Sequence, residues 1–211
     1  MSTLIYHITH LRNLRSILEA GELLCNQRIK RSRTQFQDIS YGNIQDRRSR
    51  IQVPFGSQGR LHEYVPFYFA PRSPMLYTIN KGNVAGCPEG QTSIIHLVTT
   101  AEAFASARIE FCFTDGHAAM VYSDFFNNLA DLNQIDWGIM QEKYWRDTDE
   151  DGDRKRRRQA EFLVYQTVPW NLITSIGVIN STIQQQVQRI LQDMNQSTPT
   201  QVRPDWYYLK Y

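Results

Sequence analysis

Apolar and polar positions along this chain fall into short blocks that alternate between strand and helix periods. Leu4-Ile5-Tyr6-His7-Ile8 reads as a strand, after which Leu11, Leu14, Ile17 and Leu18 recur at three and four residues. That spacing predicts a helix over 10–20, capped by Thr9 and stopped by Gly21. Extended chain resumes at Glu22-Leu23-Leu24-Cys25. The aromatic run from Tyr64 to Ala70 predicts a buried strand, with Pro66 confining its hydrogen-bonded part to the residues after it. Pro71 and Pro74 end that strand, and a short helix starts at Pro74-Met75-Leu76-Tyr77. Further strands are expected at 93–98, at Phe111-Cys112-Phe113 with a turn at Asp115-Gly116, at 161–168 before Pro169, at 172–179, and at the terminal aromatics 206–211. Helices are expected over 101–107 and 181–195, and Phe125, Phe126, Leu129 and Leu132 favour helix between 123 and 145. Six to eight short strands with interspersed helices and no domain break make residues 1–211 a single α+β domain.

The block that breaks this pattern is 28–60. It has few apolar residues, three glycines and a polar run from Gln35 to Gln45, which predicts a long loop with one short helix. Charge gives the loop a purpose. The whole chain is nearly balanced, with 23 Lys+Arg against 21 Asp+Glu, a total that argues against a nucleic-acid partner. Yet 28–60 holds eight basic residues and only two acidic ones. A second segregation follows at 147–158, where five carboxylates run into Arg154, Lys155, Arg156, Arg157 and Arg158. Either stretch alone would pass for a solvated surface, but a long basic loop inside a compact domain favours an anionic ligand.

Several function classes drop out. Cys25, Cys87 and Cys112 are odd in number and widely spaced, which fits neither a disulfide framework nor a zinc site and suits a reducing cytoplasm. No metal is expected. No apolar run approaches the roughly 20 residues of a membrane span, so a soluble cytoplasmic protein is expected. Phosphate-binding Gly-rich loops, the dinucleotide fingerprint, the zincin helix and the nucleophile elbow are all absent.

What remains is His7-Ile8-Thr9-His10 followed by Asn13-Leu14 and Gly21, then Asp46-Arg47-Arg48 leading to Val53-Pro54, then the run YVPFYFAPRSPML over 64–76, and Ala160-Glu161-Phe162-Leu163-Val164. Together these resemble DarT, the DNA ADP-ribosyltransferase toxin family of bacterial toxin–antitoxin pairs, in the right order over nearly the whole chain. The 64–76 run is the specific part.

The resemblance implies an ADP-ribosyltransferase (PARP-like) fold, a split central β-sheet with flanking helices and a cleft for NAD+ as co-substrate. It implies mono-ADP-ribosylation of a base, most often thymidine, in single-stranded DNA, opposed by a macrodomain antitoxin of the DarG type. By the same resemblance Glu161 is the catalytic carboxylate; the residues alone would equally make it a surface partner for Arg156, Arg157 or Arg158. Arg50 is preferred as the catalytic arginine among Arg47, Arg48 and Arg50, with Arg47 on the NAD+ phosphates. His7, Thr9, Asn13, Gly21 and Tyr68 are expected around NAD+, although Thr9 could serve as a cap, Asn13 could face solvent, and Tyr68 could be a core aromatic. Tyr41, Arg72, His117 and Arg154 are expected to touch DNA. Alternatives are the same chemistry on guanine, an NAD+-dependent RNA 2′-phosphotransferase, and a non-catalytic single-strand binder whose basic loop and aromatics Phe36, Tyr41 and Phe55 supply charge and stacking.

Overall fold

The computed structural model describes residues 2–32, 35–40 and 44–209. Among them are ten strands: β1 Leu4–His10, β2 Glu22–Leu24, β3 Tyr64–Tyr68, β4 Ile94–Thr100, β5 Phe111–His117, β6 Phe125–Phe126, β7 Ala160–Tyr165, β8 Thr167–Pro169, β9 Ser175–Val178 and β10 Thr200–Val202. The helices are α1 Leu14–Ala20, α2 Asn26–Ser32, α3 Ile44–Arg48, α4 Pro74–Asn80, α5 Ala101–Ser106, α6 Trp137–Gln141, α7 Arg154–Arg157 and α8 Ser181–Asp193. Eight strands form one mixed sheet in the order β10-β9-β4-β1-β3-β7-β5-β6, and β2 pairs with β8 beside it.

The sheet is split at its middle. β1 pairs with β4 along its whole length, from Leu4 opposite Thr100 to His10 opposite Ile94, whereas it meets β3 through one laddered position, Tyr6 opposite Tyr68. Pro66 supplies a reason. Its carbonyl accepts from the His7 side chain on β1 at 2.8 Å, and in an extended strand a residue's N–H and C=O point the same way, so the missing Pro66 N–H faces β1. On its other side β3 is fully laddered with β7, Pro66 opposite Leu163. The proline therefore lies inside the paired strand, not before it as expected. It interrupts one edge only, and the sheet opens there.

Alternation of side chains gives the two faces different characters. Ile5, Phe67, Ile95, Leu97, Phe162 and Val164 join one large core with Leu14, Ile17 and Leu18 of α1, Phe104 of α5 and Ile183, Val187 and Leu191 of α8. The opposite face has two smaller clusters, one around Tyr6, Leu76, Ile94 and Trp206, the other around Val53, Leu61, Tyr64 and Leu163. Buried polar residues, Arg48 and Glu161 among them, accompany these clusters.

Local chemistry explains where elements depart from the sequence reading. β1 runs on to His10, whose ring, not the Thr9 hydroxyl, caps the following turn by accepting from Arg12 N–H. Gly21 does end α1, in a left-handed conformation at φ 69°. The basic block contains two short helices, α2 and α3, not one. β5 continues through Asp115-Gly116 and turns only after His117; a Cβ at Gly116 would run into the Arg156 guanidinium. The 123–145 stretch breaks into the short strand β6, a 3-10 turn over Leu129–Gln134 and α6. Among the described residues the terminal aromatics Trp206, Tyr207 and Tyr208 form no strand, and 210–211 lie outside those residues: Pro204 opens a 3-10 turn, Trp206 packs edge-on against Tyr6 at 5.1 Å, and strand pairing falls to Thr200–Val202 alongside β9.

Candidate active site

A cleft of about 1180 Å³ opens where β1 and β3 separate, larger than the roughly 300–1,000 Å³ of a usual small-molecule pocket. His7, Arg48, Tyr68, His117 and Glu161 all line it, and the rest of the lining divides by origin in the chain into two sets of residues, or arms. One arm comes from α1, β2 and the basic block and includes Ile17, Leu23, Phe36, Asp38 and Ile44. The other is aromatic and basic, past Tyr77, Lys81, Trp145, Lys155 and Tyr208.

Glu161 is the chemical centre. The second residue of β7, it is 4% exposed and stands opposite Tyr68 in the ladder. Its Oε2 accepts from the Arg48 guanidinium at 2.8 Å, its Oε1 from the Ala118 backbone N–H at 3.2 Å, and His117 Nδ1 lies 3.5 Å from Oε1. Burial alone would favour the neutral acid, but the Arg48 charge and His117 outweigh it and hold the carboxyl down at about 2. The site therefore presents a dry, ionised carboxylate. The same environment pushes the other way on Tyr68: burial, then the Glu161 charge, raises its phenol well above the ordinary range, so the ring stays neutral.

Arg48, not Arg50, reaches Glu161. Arg48 is the last residue of α3, one helical turn after Ile44, and both line the cleft. Arg50 lies beyond the helix end with an exposed side chain, in a separate shallow groove with Asp46, Arg47, Ile51, Ala119 and Val121. Arg47 likewise turns away from the cleft, its guanidinium donating to the Ala119 carbonyl at 2.8 Å. Only the one-turn spacing of Ile44 and Arg48 separates these arginines in sequence.

The remaining expected residues divide clearly. His7 lines the cleft with its ring fixed by Pro66, and burial lowers its basicity. Thr9, Asn13 and Gly21 are not in the lining. Asn13 donates to the Thr9 hydroxyl at 3.1 Å and to the Gln37 carbonyl at 3.0 Å, and it accepts from Gln37 N–H at 2.7 Å. This pair ties the basic block to β1. Gly21 shapes the α1 end between Ala20 and Glu22, which do line the cleft. Arg72 borders the second arm. His117, expected on DNA, stands beside the carboxylate. Tyr41 lies outside the described residues.

Most of the basic run before β7 is committed internally. Arg156 pairs with Asp115 and Asp153, and Arg157 with Asp136 and Asp151. Arg154 holds the carbonyls of Tyr144 and Arg146, and the neighbouring Lys155 is the one that lines the cleft. The wall of aromatics in the second arm was not visible in sequence. Tyr77 packs edge-on against Trp145 and Tyr208 at 5.7 and 5.1 Å, and the Trp145 Nε1–H donates to the Tyr208 hydroxyl at 3.2 Å. Among the described residues no helix is long and apolar enough to cross a membrane.

Comparison with known proteins gives the family and the fold. A DNA ADP-ribosyl transferase of Thermus aquaticus is 48% identical over 210 residues, covering 99% of this chain and 90% of that protein. The DarT of Thermus sp. 2.9 in complex with ADP-ribosylated ssDNA superimposes with a TM-score of 0.91 at 42% identity, covering 98% of this chain and 97% of that one. The same protein in complex with NAD+ gives 0.88 at 40% identity, covering 98% of both chains. A DNA ADP-ribosyl transferase-DNA ADP-ribosyl glycohydrolase fusion protein of Thermosipho africanus is 29% identical over 97% of this chain, which matches 49% of its length. The family described as ssDNA thymidine ADP-ribosyltransferase, DarT, matches residues 6–208, and this chain belongs to it.

Proposed function

We propose that this chain transfers ADP-ribose from NAD+ to thymidine in single-stranded DNA, acting as the toxin of a toxin–antitoxin pair. The observation that carries this reading is the buried, ionised Glu161 held by Arg48 in a cleft with two unlike arms. Support comes from the relatives: the DarT of Thermus sp. 2.9 is bound to NAD+ in one structure and to ADP-ribosylated single-stranded DNA in another, and the Thermosipho africanus protein is fused to a DNA ADP-ribosyl glycohydrolase. An enzyme that removes the mark is the chemistry an antitoxin needs, and a DarG-like macrodomain is the partner this implies.

In the reaction the bond between C1″ of the ribose and the nicotinamide nitrogen breaks, and its electron pair leaves with nicotinamide. Glu161 binds the ribose hydroxyl and stabilises the cation-like sugar, an electrostatic task suited to a carboxylate that remains charged in a dry site. NAD+ occupies the α1 arm, with His7 beside the ribose and Tyr68 against the nicotinamide. A thymine arriving from the aromatic arm attacks C1″ through N3. Arg48 takes the part expected of Arg50, since a planar guanidinium can stabilise the imide as its proton leaves. That proton passes to water, and Glu161 stays ionised beside Arg48 and His117.

Single strands suit such a site, because an unstacked base enters without an unpairing cost of about a few kcal/mol. The test is NAD+-dependent labelling of oligonucleotides that each contain one candidate base. Labelling of the thymine strand, lost in Glu161→Ala with DNA binding retained, is the expected result; labelling of a thymine-free strand overturns the thymidine assignment.

A further inference from the structure

A target base inside a DNA strand has two neighbours, so two paths must lead away from Glu161, and the aromatic arm accounts for one. We propose that the groove between α3 and the 118–123 turn carries the sugar-phosphate backbone on the other side of the target. This inference rests on the DNA-modifying reading above.

The groove adjoins the catalytic residues in sequence, Arg47 next to Arg48 and Ala119 two residues after His117. Its lining, Asp46, Arg47, Arg50, Ile51, Ala119 and Val121, comes from the two segments that supply Arg48 and His117 to Glu161. Arg50 is exposed, and among the described residues its guanidinium has no partner. Arg47 is anchored on the Ala119 carbonyl and is also exposed. Asp46 is the single carboxylate in the lining, so the groove is net basic. Val121 in the lining is 99% exposed; its chain neighbour Tyr122 is 62% exposed, and the Arg156 guanidinium backs the Tyr122 ring at 5.5 Å. A basic groove beside an exposed aromatic is the combination that tracks a single-stranded backbone and stacks its bases without reading sequence. The two guanidiniums match a phosphodiester better than any neutral ligand would.

The test is side-selective. Labelling kinetics are measured on oligonucleotides with one thymine, extended stepwise on the 5′ side or on the 3′ side alone. In the wild-type protein KM falls as either flank grows. Arg50→Gln should abolish the gain from one flank, keep the gain from the other, and leave kcat unchanged, with the salt dependence of KM on the longer strands reduced by about 0.7 for each phosphate that is no longer bound. Arg50→Lys should restore most of that gain. If Arg50→Gln weakens both flanks equally, affects neither, or lowers kcat on the shortest strand, the groove is not a backbone track. A wild-type protein that labels no oligonucleotide at all overturns the DNA-modifying reading itself and this inference with it.

Discussion

Tyr68 and Glu161 stand directly opposite each other across the β3–β7 ladder, and Tyr68 is also the residue through which β3 meets β1. One backbone position thus marks the end of the sheet's closed part, the wall of the cleft and the partner of its carboxylate. Cross-strand pairs share a face and lie about 5 Å apart at Cβ, so the ladder itself sets the spacing between ring and carboxylate. No loop has to order for this pair to form. Arg48 and His117 come instead from a short helix and a strand end, and their approaches to the carboxylate at 2.8 and 3.5 Å lock those less regular segments onto the sheet.

Breaking the Arg48–Glu161 pair should therefore cost stability as well as activity. Both side chains are less than a tenth exposed, and removing one partner of such a pair leaves an uncompensated buried charge at a cost of about 3–5 kcal/mol. Glu161→Gln should lower the urea midpoint and abolish DNA labelling. Arg48→Met combined with Glu161→Gln should regain most of the stability and none of the labelling. Equilibrium unfolding and labelling measured on the same preparations check both halves.

Acid should reveal the same pair. Glu161 in the folded protein titrates at about 2, below its ordinary 4.5, because burial is outweighed by Arg48 and His117. Between those values the unfolded chain binds the proton more tightly, so folding stability rises with pH across the window and is lost as pH falls through it. The urea midpoint of the wild type should thus drop from pH 5 to pH 3 more steeply than that of Glu161→Gln. Parallel pH profiles for the two proteins would contradict this assignment.

The sheet was legible because its strands carry strong local patterns: the aromatic run of β3 and the alternation of β7 each follow the period that burial on a ladder demands. Glu161 was singled out by the family resemblance, since a glutamate at the head of β7 alone reads as a surface partner for the arginines before it. The arginine assignment failed for a physical reason, since α3 has five residues and too few apolar positions to show which way each side chain points. Arg154 went wrong differently: a run of cations does not disclose which of them neighbouring carboxylates and carbonyls will consume. At the C-terminus aromatic β-propensity lost to Pro204 and to the packing of Trp206 on Tyr6. The aromatic arm could not be read at all, because Tyr77, Trp145 and Tyr208 meet only after the chain has folded.

Trp145 tests whether the arms are correctly assigned. It is half-buried against Tyr77 and bonded to Tyr208, on the arm away from α1. Stacking of a base on an aromatic side chain contributes about 1–3 kcal/mol. Trp145→Ala should raise the KM for DNA by about tenfold, which is 1.4 kcal/mol in the same range, with the affinity for NAD+ unchanged by calorimetry. Loss of NAD+ affinity with normal DNA affinity would reverse the two arms.

Arg158 tests how the second arm is held in place. It is 3% exposed, with no carboxylate partner among the described residues; its guanidinium donates to the carbonyls of Ile139 at 2.6 Å, of Met140, and of Arg72 at 3.0 Å. Burial pulls its pKa below the usual arginine value; three carbonyls accept from its two terminal nitrogens, while among the described residues Nε has no partner. The Arg72 carbonyl is held a second time by the Tyr208 hydroxyl at 2.8 Å, so α6, the loop after β3 and the C-terminal segment converge on one point. Arg158→Met keeps the apolar stem and removes the donor of the Met140 carbonyl, at about 1–3 kcal/mol for a buried group left unsatisfied, whereas the Ile139 carbonyl still accepts from Glu142 N–H at 3.3 Å. The urea midpoint should fall accordingly. Because Arg72 borders the DNA arm and not the NAD+ arm, KM for the oligonucleotide should rise while KM for NAD+ stays constant. Equal changes in both would mean that Arg158 supports the fold as a whole, whereas a change confined to DNA identifies it as the residue that positions Arg72.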